Sequence, residues 1–270
     1  MKRVEEMCKK TLGNLLEETR EKRKIKKVQL CHGLCTITAL TRYEQDIRIP
    51  DKFLVDALLE RLGLSTFRYE FVTSEQEFVY SMRRKQIQEY ILNENFEKAL
   101  EAINDYMFQI KNTDKLHKQY LFLKKAEIAG RYEEYKLGLE YLIEGMQCTE
   151  CYIEDETDIK NMLFSNIEMN IHYLYAKYLY YDKKQDLSFC RFQLLKKYID
   201  RKQWDAIKRE EYYPHILYRL SQQEMKNYNY GKALVYLESA QKILLSSYKI
   251  DNLCEVLQLK KELLNRIDKC

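Results

Sequence analysis

A short pattern that recurs in the C-terminal part of the chain constrains the fold more than any other feature. Residues 95–100 read NFEKAL and residues 229–234 read NYGKAL, while residues 131–135 (RYEEY) place an aromatic residue at the corresponding point between them. In the first and last copies, the aromatic residue begins a helical pattern and a small residue follows three positions later. The period is about 34 residues, which is the length of a two-helix unit. This repetition predicts a stack of helical hairpins.

The hydrophobic periodicity divides the C-terminal part into four hairpins and a closing helix. We predict helix pairs at 75–92 and 95–110, at 114–129 and 131–147, at 158–181 and 186–200, and at 210–227 and 230–248, with a last helix at 252–267. The pattern resembles tetratricopeptide (TPR) repeats. That resemblance implies an α-superhelix with a concave face, lined by the first helix of each hairpin.

Glycine and proline are scarce. The 270 residues include seven Gly and two Pro, so the chain contains few of the residues that tight turns favour. Pro50 and Pro214 both fall where a helix boundary is expected. Hydrophobic residues make up 46% of the chain, with 23 Tyr and 10 Phe, which is enough for a large core. The predicted fold class is all-α.

Residues 12–65 differ from the hairpins, because they read as short helices in succession. One of these is predicted at Ile37–Glu44, with Thr36 as its N-cap and with Leu40 and Tyr43 facing inward. A short helix, a tight turn and a capped short helix are the components of a helix-turn-helix unit.

The other helices of this stretch have similar signals. Val28, Leu30 and Leu34 are assigned to the helix that precedes Ile37, and Gly33 lies where a tight turn is needed. Gly63 follows the last apolar residues of the stretch and is a suitable left-handed helix stop. These signals support the helix-turn-helix assignment.

Three segments of this stretch give a more specific match. Residues 41–44 (TRYE), 46–50 (DIRIP) and 62–65 (LGLS) resemble the end of the recognition helix, the following turn and the closing segment of the Cro/phage-repressor (XRE) family. The resemblance implies a lambda-repressor-like helix-turn-helix domain. It also implies a structural ion pair between Arg20 and Glu44.

The resemblance implies that residues 37–42 enter the major groove of double-stranded DNA. Thr38, Thr41 and Arg42 would then read base edges, and Ile37 would contact a thymine methyl group. Basic side chains would neutralise phosphates, and six of the eight residues in 20–27 are basic. The predicted DNA-binding set is Lys26, Lys27, Thr36, Ile37, Thr38, Thr41, Arg42 and Arg48.

Aligning the hairpins places polar and aromatic residues on the predicted inner face. The predicted peptide-binding set is Arg84, Gln88, Tyr120, Lys124, Asn166, Asn170, Tyr173, Lys177, Tyr218 and Gln222, with His215 in the same register. Asn and Gln amides offer both donors and acceptors to the backbone of an extended peptide, and Tyr adds apolar area. The alternative for each residue is an ordinary solvated position on a helix.

The order of the parts resembles the Rgg/PlcR (RRNPP) class of peptide-responsive regulators. This resemblance implies a cytoplasmic homodimer that binds double-stranded DNA and a short signalling peptide. It also implies that Asn166 and Asn170 hold the peptide backbone, and that the last helix, at 253–267, contributes to the dimer. The alternative function is a TPR interaction scaffold that binds a protein partner and has lost its affinity for DNA.

The predicted domains are a helix-turn-helix domain at 1–65, a linker at 66–73 and a TPR-like domain with a capping helix at 74–270. Residues 1–10 are expected to extend or precede the first helix. Ser74 is predicted to begin the repeats, because Glu77 lies three residues later, as in a capping box.

Other classes of function are disfavoured. With so few glycines, a phosphate-binding loop is not expected. Residues 148–151 (CTEC) and 31–35 (CHGLC) are incomplete as zinc sites, so neither a metal nor a cofactor is predicted. The four His lie on separate helices, and no enzyme activity is expected. The chain has no long apolar run and no signal-peptide pattern, so we predict no membrane contact.

Overall fold

A computed structural model describes residues 11–66, 74–111, 113–247 and 252–267. Within these ranges the backbone forms fourteen α-helices and no strand. The chain divides into two compact units, one comprising Met1–Tyr152 and Asn161–Ile171 and the other Ile153–Lys160 and His172–Cys270. The predicted all-α class is confirmed.

The first unit begins with four short helices, which we call the head. They are α1 (Leu12–Lys22), α2 (Lys27–Cys31), α3 (Ile37–Glu44) and α4 (Lys52–Arg61). Thr36 caps α3 as predicted, since its hydroxyl accepts a hydrogen bond from the amide of Ala39 at 3.1 Å. Asp51 caps α4 in the same way through the amide of Leu54.

The turns of the head need left-handed backbone. Gly33 has φ +66° and Gly63 has φ +63°, as their predicted positions in a tight turn and after a helix require. Leu16, Leu30 and Leu40 are fully buried in the head. Each such burial contributes roughly 2 kcal/mol.

The predicted composition of α2 was wrong. The helix ends at Cys31, so Leu34 lies outside it, and Val28 is 52% exposed. The left-handed turn at Gly33 stops the helix before Leu34 can join it. Leu30 is the member of the predicted set that faces the core.

Two helical hairpins complete most of the first unit. They are α5 (Glu75–Leu92) with α6 (Phe96–Gln109), and α7 (Lys115–Arg131) with α8 (Tyr135–Thr149). Ser74 caps α5 as predicted, because its hydroxyl accepts from the amide of Glu77 at 3.2 Å. Helix α8, the second of its hairpin, begins four residues later than predicted, because Glu133 takes a left-handed φ of 60°.

The single helix predicted at 158–181 is two helices, α9 (Glu156–Asn161) and α10 (Asn166–Tyr181). A capping box interrupts the pattern. The amide of Ser165 donates to the Glu168 carboxylate at 2.7 Å, and the amide of Glu168 donates to the Ser165 hydroxyl at 3.3 Å. This reciprocal pair fixes Asn166 as the first residue of α10.

The remaining helices are α11 (Gln185–Arg201), α12 (Ala206–Lys226), α13 (Tyr230–Ser246) and α14 (Leu253–Ile267). Pro214 does not lie at a helix boundary as predicted, because it lies inside α12. The first turn of α12 is held by Asp205, which accepts from the Lys208 amide and pairs with the buried Lys208 ammonium at 2.8 Å. Burial of Tyr212 and Tyr213 beside Pro214 further offsets the cost of a proline in a helix, about 3 kcal/mol.

The leucines and valine of the closing helix α14 do not form a single buried face. Val256 and Leu263 are buried, whereas Leu257 and Leu264 are more than 40% exposed. Among the described helices, none is long and apolar enough to cross a membrane. The predictions for residues 1–10 and for most of the 66–73 linker fall outside the described residues, and the predicted domain limits remain predictions.

Candidate nucleic-acid interface and groove residues

One face of α3 points away from the head. Leu40, Tyr43 and Glu44 are buried, whereas Thr38 and Arg42 are exposed and Ile37 is 50% exposed. The helical period therefore separates a packing face from an outward face, as the sequence predicted. The outward face holds Ile37, Thr38 and Arg42 of the side chains that were predicted to contact bases, while Thr41 is half-buried.

Two threonine hydroxyls on this helix have partners within the head. Thr36 accepts the amide of Ala39 at the N-cap. The Thr41 hydroxyl donates to the carbonyl of Ile37 at 3.0 Å and accepts from the Lys27 ammonium at 3.1 Å. These bonds fix both side chains before any ligand arrives.

A buried carboxylate joins α1, α2 and α3. The Arg20 Nε lies 2.6 Å from Glu44 Oε1, and the Lys27 Nζ lies 2.9 Å from Glu44 Oε2. Burial lowers the pKa of Arg20, but its hydrogen bond and charge interaction with Glu44 outweigh burial and raise that pKa. The expected pair between Arg20 and Glu44 is present, and Lys27 belongs to the same network.

The predicted phosphate-binding residues differ in exposure and in the partners that hold them. Lys26 and Arg48 are exposed. The Lys27 side chain is 31% exposed, and its ammonium is held by Glu44 and Thr41. The structure therefore leaves Lys26 and Arg48 better placed than Lys27 to meet a phosphate.

The last turn of α4 holds the head against the repeats of the first unit. The Arg61 Nη2 lies 2.7 Å from Glu168 Oε1, and Nη1 donates to the carbonyls of Leu30 and His32 at 3.0 and 2.6 Å. Arg61 is 1% exposed and Glu168 is fully buried. One guanidinium therefore satisfies the C-terminal end of α2 and a carboxylate on α10.

Glu168 has further partners. Besides Arg61, it accepts from the Thr149 hydroxyl and the Ser165 amide, both at 2.7 Å. Burial raises the pKa of Glu168, but the charge and hydrogen bonds of Arg61, together with these two donors, outweigh burial and lower it. The carboxylate is therefore charged and fully hydrogen-bonded.

The turn after α2 fits closely against the end of α8. A Cβ added to Gly33 would lie 1.9 Å from the carbonyl oxygen of Thr149, so no other residue fits there. The His32 ring is 3.3 Å from the carbonyl of Glu150. The backbone N–H of Asn166, at the start of α10, donates to the Glu60 carboxylate at 2.9 Å.

An aromatic cluster forms a second contact between the head and the repeats. The ring of Phe53, on α4, lies 4.9 Å from His117 and 6.3 Å from Tyr120. The Arg84 guanidinium stands 4.4 Å above the same ring, a cation–π distance. Arg84 also pairs with Glu77 at 2.8 Å.

His117 is held in its neutral form. Its Nδ1 lies 2.6 Å from the Tyr106 hydroxyl and 3.3 Å from Arg84 Nη1. Because Arg84 can only donate, Nδ1 is an acceptor and the proton is on Nε2. Burial and the charge of Arg84 lower the pKa of His117 to about 4.

The predicted groove residues in the first unit fall into two sets. Arg84 and Tyr120 belong to the cluster around Phe53, and the Tyr120 hydroxyl donates to the carbonyl of Arg84 at 3.0 Å. Lys124 and Asn170 both contact the Glu127 carboxylate, at 2.8 and 3.3 Å. Gln88 and Asn166 are half-buried. Lys124 and Asn170 are thus brought together on one acidic side chain.

The remaining predicted groove residues belong to the second unit. Tyr173 lies about 6.0 Å from the rings of Tyr212 and His215, and burial raises its pKa to about 12. Tyr218 lies beside Arg219, whose guanidinium donates to Gln222 Oε1 at 3.1 Å. Lys177 is half-buried.

Sequence reasoning missed Arg61, Glu168 and Phe53 as residues that position the head. The segment 165–168 (SNIE) has the capping-box spacing, so the sequence does contain a signal for the start of α10. The sequence contains no local signal that Arg61 pairs with Glu168, because Glu168 lies 107 residues away. In the part of the chain that the structure describes, no group of three or more His, Cys, Asp or Glu could hold a metal ion.

No protein-family model and no curated protein matches this sequence. Among solved structures, ComR from S. thermophilus in complex with DNA and its signalling peptide ComS is 12% identical, with 94% of this chain and 99% of that chain covered and a TM-score of 0.37. The Streptococcus dysgalactiae SHP pheromone receptor Rgg2 is 12% identical, with 93% and 99% covered and a TM-score of 0.34.

The structure of Bacillus thuringiensis PlcR in complex with the peptide PapR7 and DNA is also similar. It is 15% identical to this chain, with a TM-score of 0.50, and the match covers 95% of this chain and 88% of that chain. The resemblance predicted from the sequence is confirmed at the level of the fold: this chain shares with PlcR the arrangement of a helix-turn-helix domain followed by TPR-like helical hairpins.

Proposed function

We propose that the protein is a DNA-binding transcription regulator whose TPR-like hairpins bind a short signalling peptide. The observation that carries this proposal is the geometry of α3 in the head. Thr36 caps this helix, and Arg20 and Lys27 bind its buried Glu44. The face of the helix that holds Ile37 and Arg42 is exposed. The fold is that of PlcR, whose structure contains DNA and the peptide PapR7.

In this function α3 enters the major groove. Thr38, Thr41 and Arg42 face the base edges, and Ile37 contacts a methyl group. Lys26 and Arg48 neutralise phosphates on either side of α3, with a smaller contribution from Lys27. Two copies of the chain would bind half-sites about one helical turn apart, as a cytoplasmic homodimer.

The peptide would be held by the predicted inner-face residues. Lys124 and Asn170 share the Glu127 carboxylate, so a peptide backbone can replace Glu127 as the partner of the Asn170 amide. Glu127 itself can accept the peptide's amide groups. Within the second unit, the predicted contacts Tyr173, Lys177, Tyr218 and Gln222 would offer aromatic and polar groups to a peptide.

Helix α10 would couple the two activities. Its first turn holds the head, because the backbone N–H of Asn166 donates to Glu60 and the Glu168 carboxylate pairs with Arg61. Asn170, a predicted peptide contact, lies on the same helix. A peptide that binds better when α10 is displaced would shift the head by no more than the difference between its affinities for the two arrangements.

The test is direct titration of a fluorescent duplex from the gene's own upstream region, at two salt concentrations. Saturable binding that survives random competitor DNA and weakens with salt supports the proposal. Arg42→Ala should remove the preference for that duplex. Lys85→Ala, an exposed cation on α5, is the matched control and should leave binding unchanged.

The alternative, an interaction scaffold, makes the opposite prediction. Exposed apolar residues on α5, namely Phe78, Val79 and Met82, favour it as a surface for a protein partner. If the Arg42→Ala variant still regulates its target genes normally, DNA recognition by α3 is not the function.

A further inference from the structure

We propose that α3 recognises thymine methyl groups, so that the preferred half-site is rich in A·T pairs and contains one guanine read by Arg42. This inference rests on the proposed DNA-binding function and names the class of DNA sequence that the head selects. It follows from what each outward side chain of α3 still has to offer once the internal bonds of the head are made.

Thr41 has little hydrogen-bonding capacity left for a base. Its single hydroxyl proton goes to the Ile37 carbonyl, and one of its lone pairs accepts from the Lys27 ammonium. What the half-buried side chain chiefly retains for a ligand is its methyl group. A threonine methyl is one of the apolar groups that contact the C5-methyl of thymine.

The Lys27 ammonium is itself held in place. Glu44 binds it at 2.9 Å, and the same carboxylate is 2% exposed and held by Arg20. Releasing the Thr41 hydroxyl would require moving a lysine out of an ion pair with a buried carboxylate. The orientation of Thr41 is therefore set by the fold and does not depend on DNA.

The rest of the outward face is also poor in hydrogen-bonding groups. Ile37, half exposed at the N-terminal end of α3, offers only hydrocarbon. The Thr36 hydroxyl, which precedes α3, accepts the Ala39 amide at the helix cap and keeps its proton. Thr38 offers a methyl group and one hydroxyl. Arg42 is the strong donor on this face, and its fork geometry matches the O6 and N7 atoms of guanine.

Within α3 itself, the outward side chains are therefore three that bear methyl groups, Ile37, Thr38 and Thr41, beside the guanidinium of Arg42. Only thymine presents a methyl group in the major groove, and the methyl groups of these three side chains cannot hydrogen-bond the polar atoms that the other bases present there. Polar base edges covered by hydrocarbon lose their water without compensation, which penalises G·C pairs at those positions.

The experiment starts with selection from a pool of random duplexes by the full-length protein. The expected half-site has thymines at two or more positions and one guanine. Each thymine in it is then replaced by deoxyuridine, which keeps the hydrogen bonds and removes only the methyl group. Affinity should fall about fourfold for each methyl group that is contacted, from about 0.8 kcal/mol per buried carbon.

Paired variants assign the contact. Thr41→Val keeps the methyl group and removes the hydroxyl, and it should retain the preference for thymine over deoxyuridine. Thr41→Ser keeps the hydroxyl with its two internal bonds and removes the methyl group, and it should lose the preference at one position. Ile37→Ala should lose it at another position. Circular dichroism of each variant confirms that the head is folded.

The outcomes separate the inference from the function on which it rests. A specific half-site that binds equally well with deoxyuridine at every position would overturn the inference and leave the proposed function standing. Loss of the preference in Thr41→Val together with its retention in Thr41→Ser would also overturn it, since the hydroxyl would then be the reading group. If the selection enriches no duplex, the result contradicts the proposed DNA-binding function itself.

Discussion

Arg61 and Glu168 form a fully buried ion pair, with Nη2 2.7 Å from Oε1 and Nε 3.2 Å from Oε2. The two residues lie on α4 of the head and on α10 of the repeats, and both side chains are 1% exposed or less. Every charged atom has a partner, since Arg61 also donates to two carbonyls of the α2 terminus. The pair makes the placement of the head depend on the first turn of α10.

Removing one partner of this pair should be costly. Arg61→Met leaves the Glu168 carboxylate buried without its cation, and we expect a loss of about 3–5 kcal/mol in the free energy of unfolding. The double variant Arg61→Met with Glu168→Met should recover a large part of that loss, because neither charge then remains buried. Urea unfolding followed by circular dichroism measures both. Equal stabilities of the single variant and the wild type would contradict the buried pair.

The Gly33 turn gives a second prediction. Gly33→Ala places a Cβ 1.9 Å from the Thr149 carbonyl oxygen and imposes strain at φ +66°, so we expect a loss of more than about 2 kcal/mol. The matched control is Gly231→Ala, near the start of α13, where an added Cβ meets nothing within 4 Å. That change should stabilise the protein by up to about 1 kcal/mol, because alanine favours the helix.

The two glycine variants are compared by thermal unfolding. Opposite signs of the change in Tm are expected. A Gly33→Ala variant as stable as wild type would mean that the turn after α2 does not lie against the end of α8 in solution.

The buried His117 predicts a pH dependence. Its pKa is lowered from 6.5 to about 4, so the unfolded state binds a proton at a higher pH than the folded state does. The stability contributed by neutral His117 is fully present above pH 6.5 and is lost as the pH falls from 6.5 to about 4. The full loss is about 3 kcal/mol, from 1.36 kcal/mol per pKa unit.

His117→Gln tests this dependence, because an amide oxygen can still accept from Tyr106 and Arg84 but does not titrate. The urea midpoint should fall further between pH 7.5 and pH 4.5 in wild type than in the variant, because wild type loses the stability contributed by neutral His117. An identical decline in both proteins would mean that the histidine is already charged or exposed in the folded state.

Features that depend on neighbouring residues could be predicted from the sequence, whereas contacts between residues far apart in the chain could not. The N-caps at Thr36 and Ser74 and the left-handed Gly33 follow from residue chemistry within a few positions, and each was predicted correctly. The pair between Arg20 and Glu44 came from a resemblance that fixes two helices relative to one another. Arg61 and Glu168 had no such guide, because neither local sequence indicates which distant charge it meets.

Competition between local and tertiary effects explains the errors. Pro214 is a strong local signal for a helix end, yet α12 continues through it, with Tyr212 and Tyr213 buried beside it to offset the cost of the proline. The break before α10 had a local signal in 165–168, but the apolar periodicity on both sides masked it. Lys27 read as a free cation because its partner Glu44 is visible only when α2 and α3 are packed.

That difference between Lys26 and Lys27 gives the last prediction. Lys26 is exposed, so Lys26→Gln should remove a phosphate contact and make the negative slope of log K against log salt shallower by about 0.9 for each copy bound. Lys27→Gln should change the slope less and lower the Tm more, because it leaves the Glu44 carboxylate with one cation instead of two. Duplex titrations at four salt concentrations, combined with thermal unfolding of each variant, measure the two effects separately. If Lys27→Gln makes the slope shallower by as much as Lys26→Gln does while its Tm stays unchanged, the Lys27 ammonium leaves Glu44 and binds phosphate in the complex. The Thr41 oxygen, which donates its proton to the Ile37 carbonyl, could then accept a hydrogen bond from a base, and recognition at that position would not require a thymine methyl group.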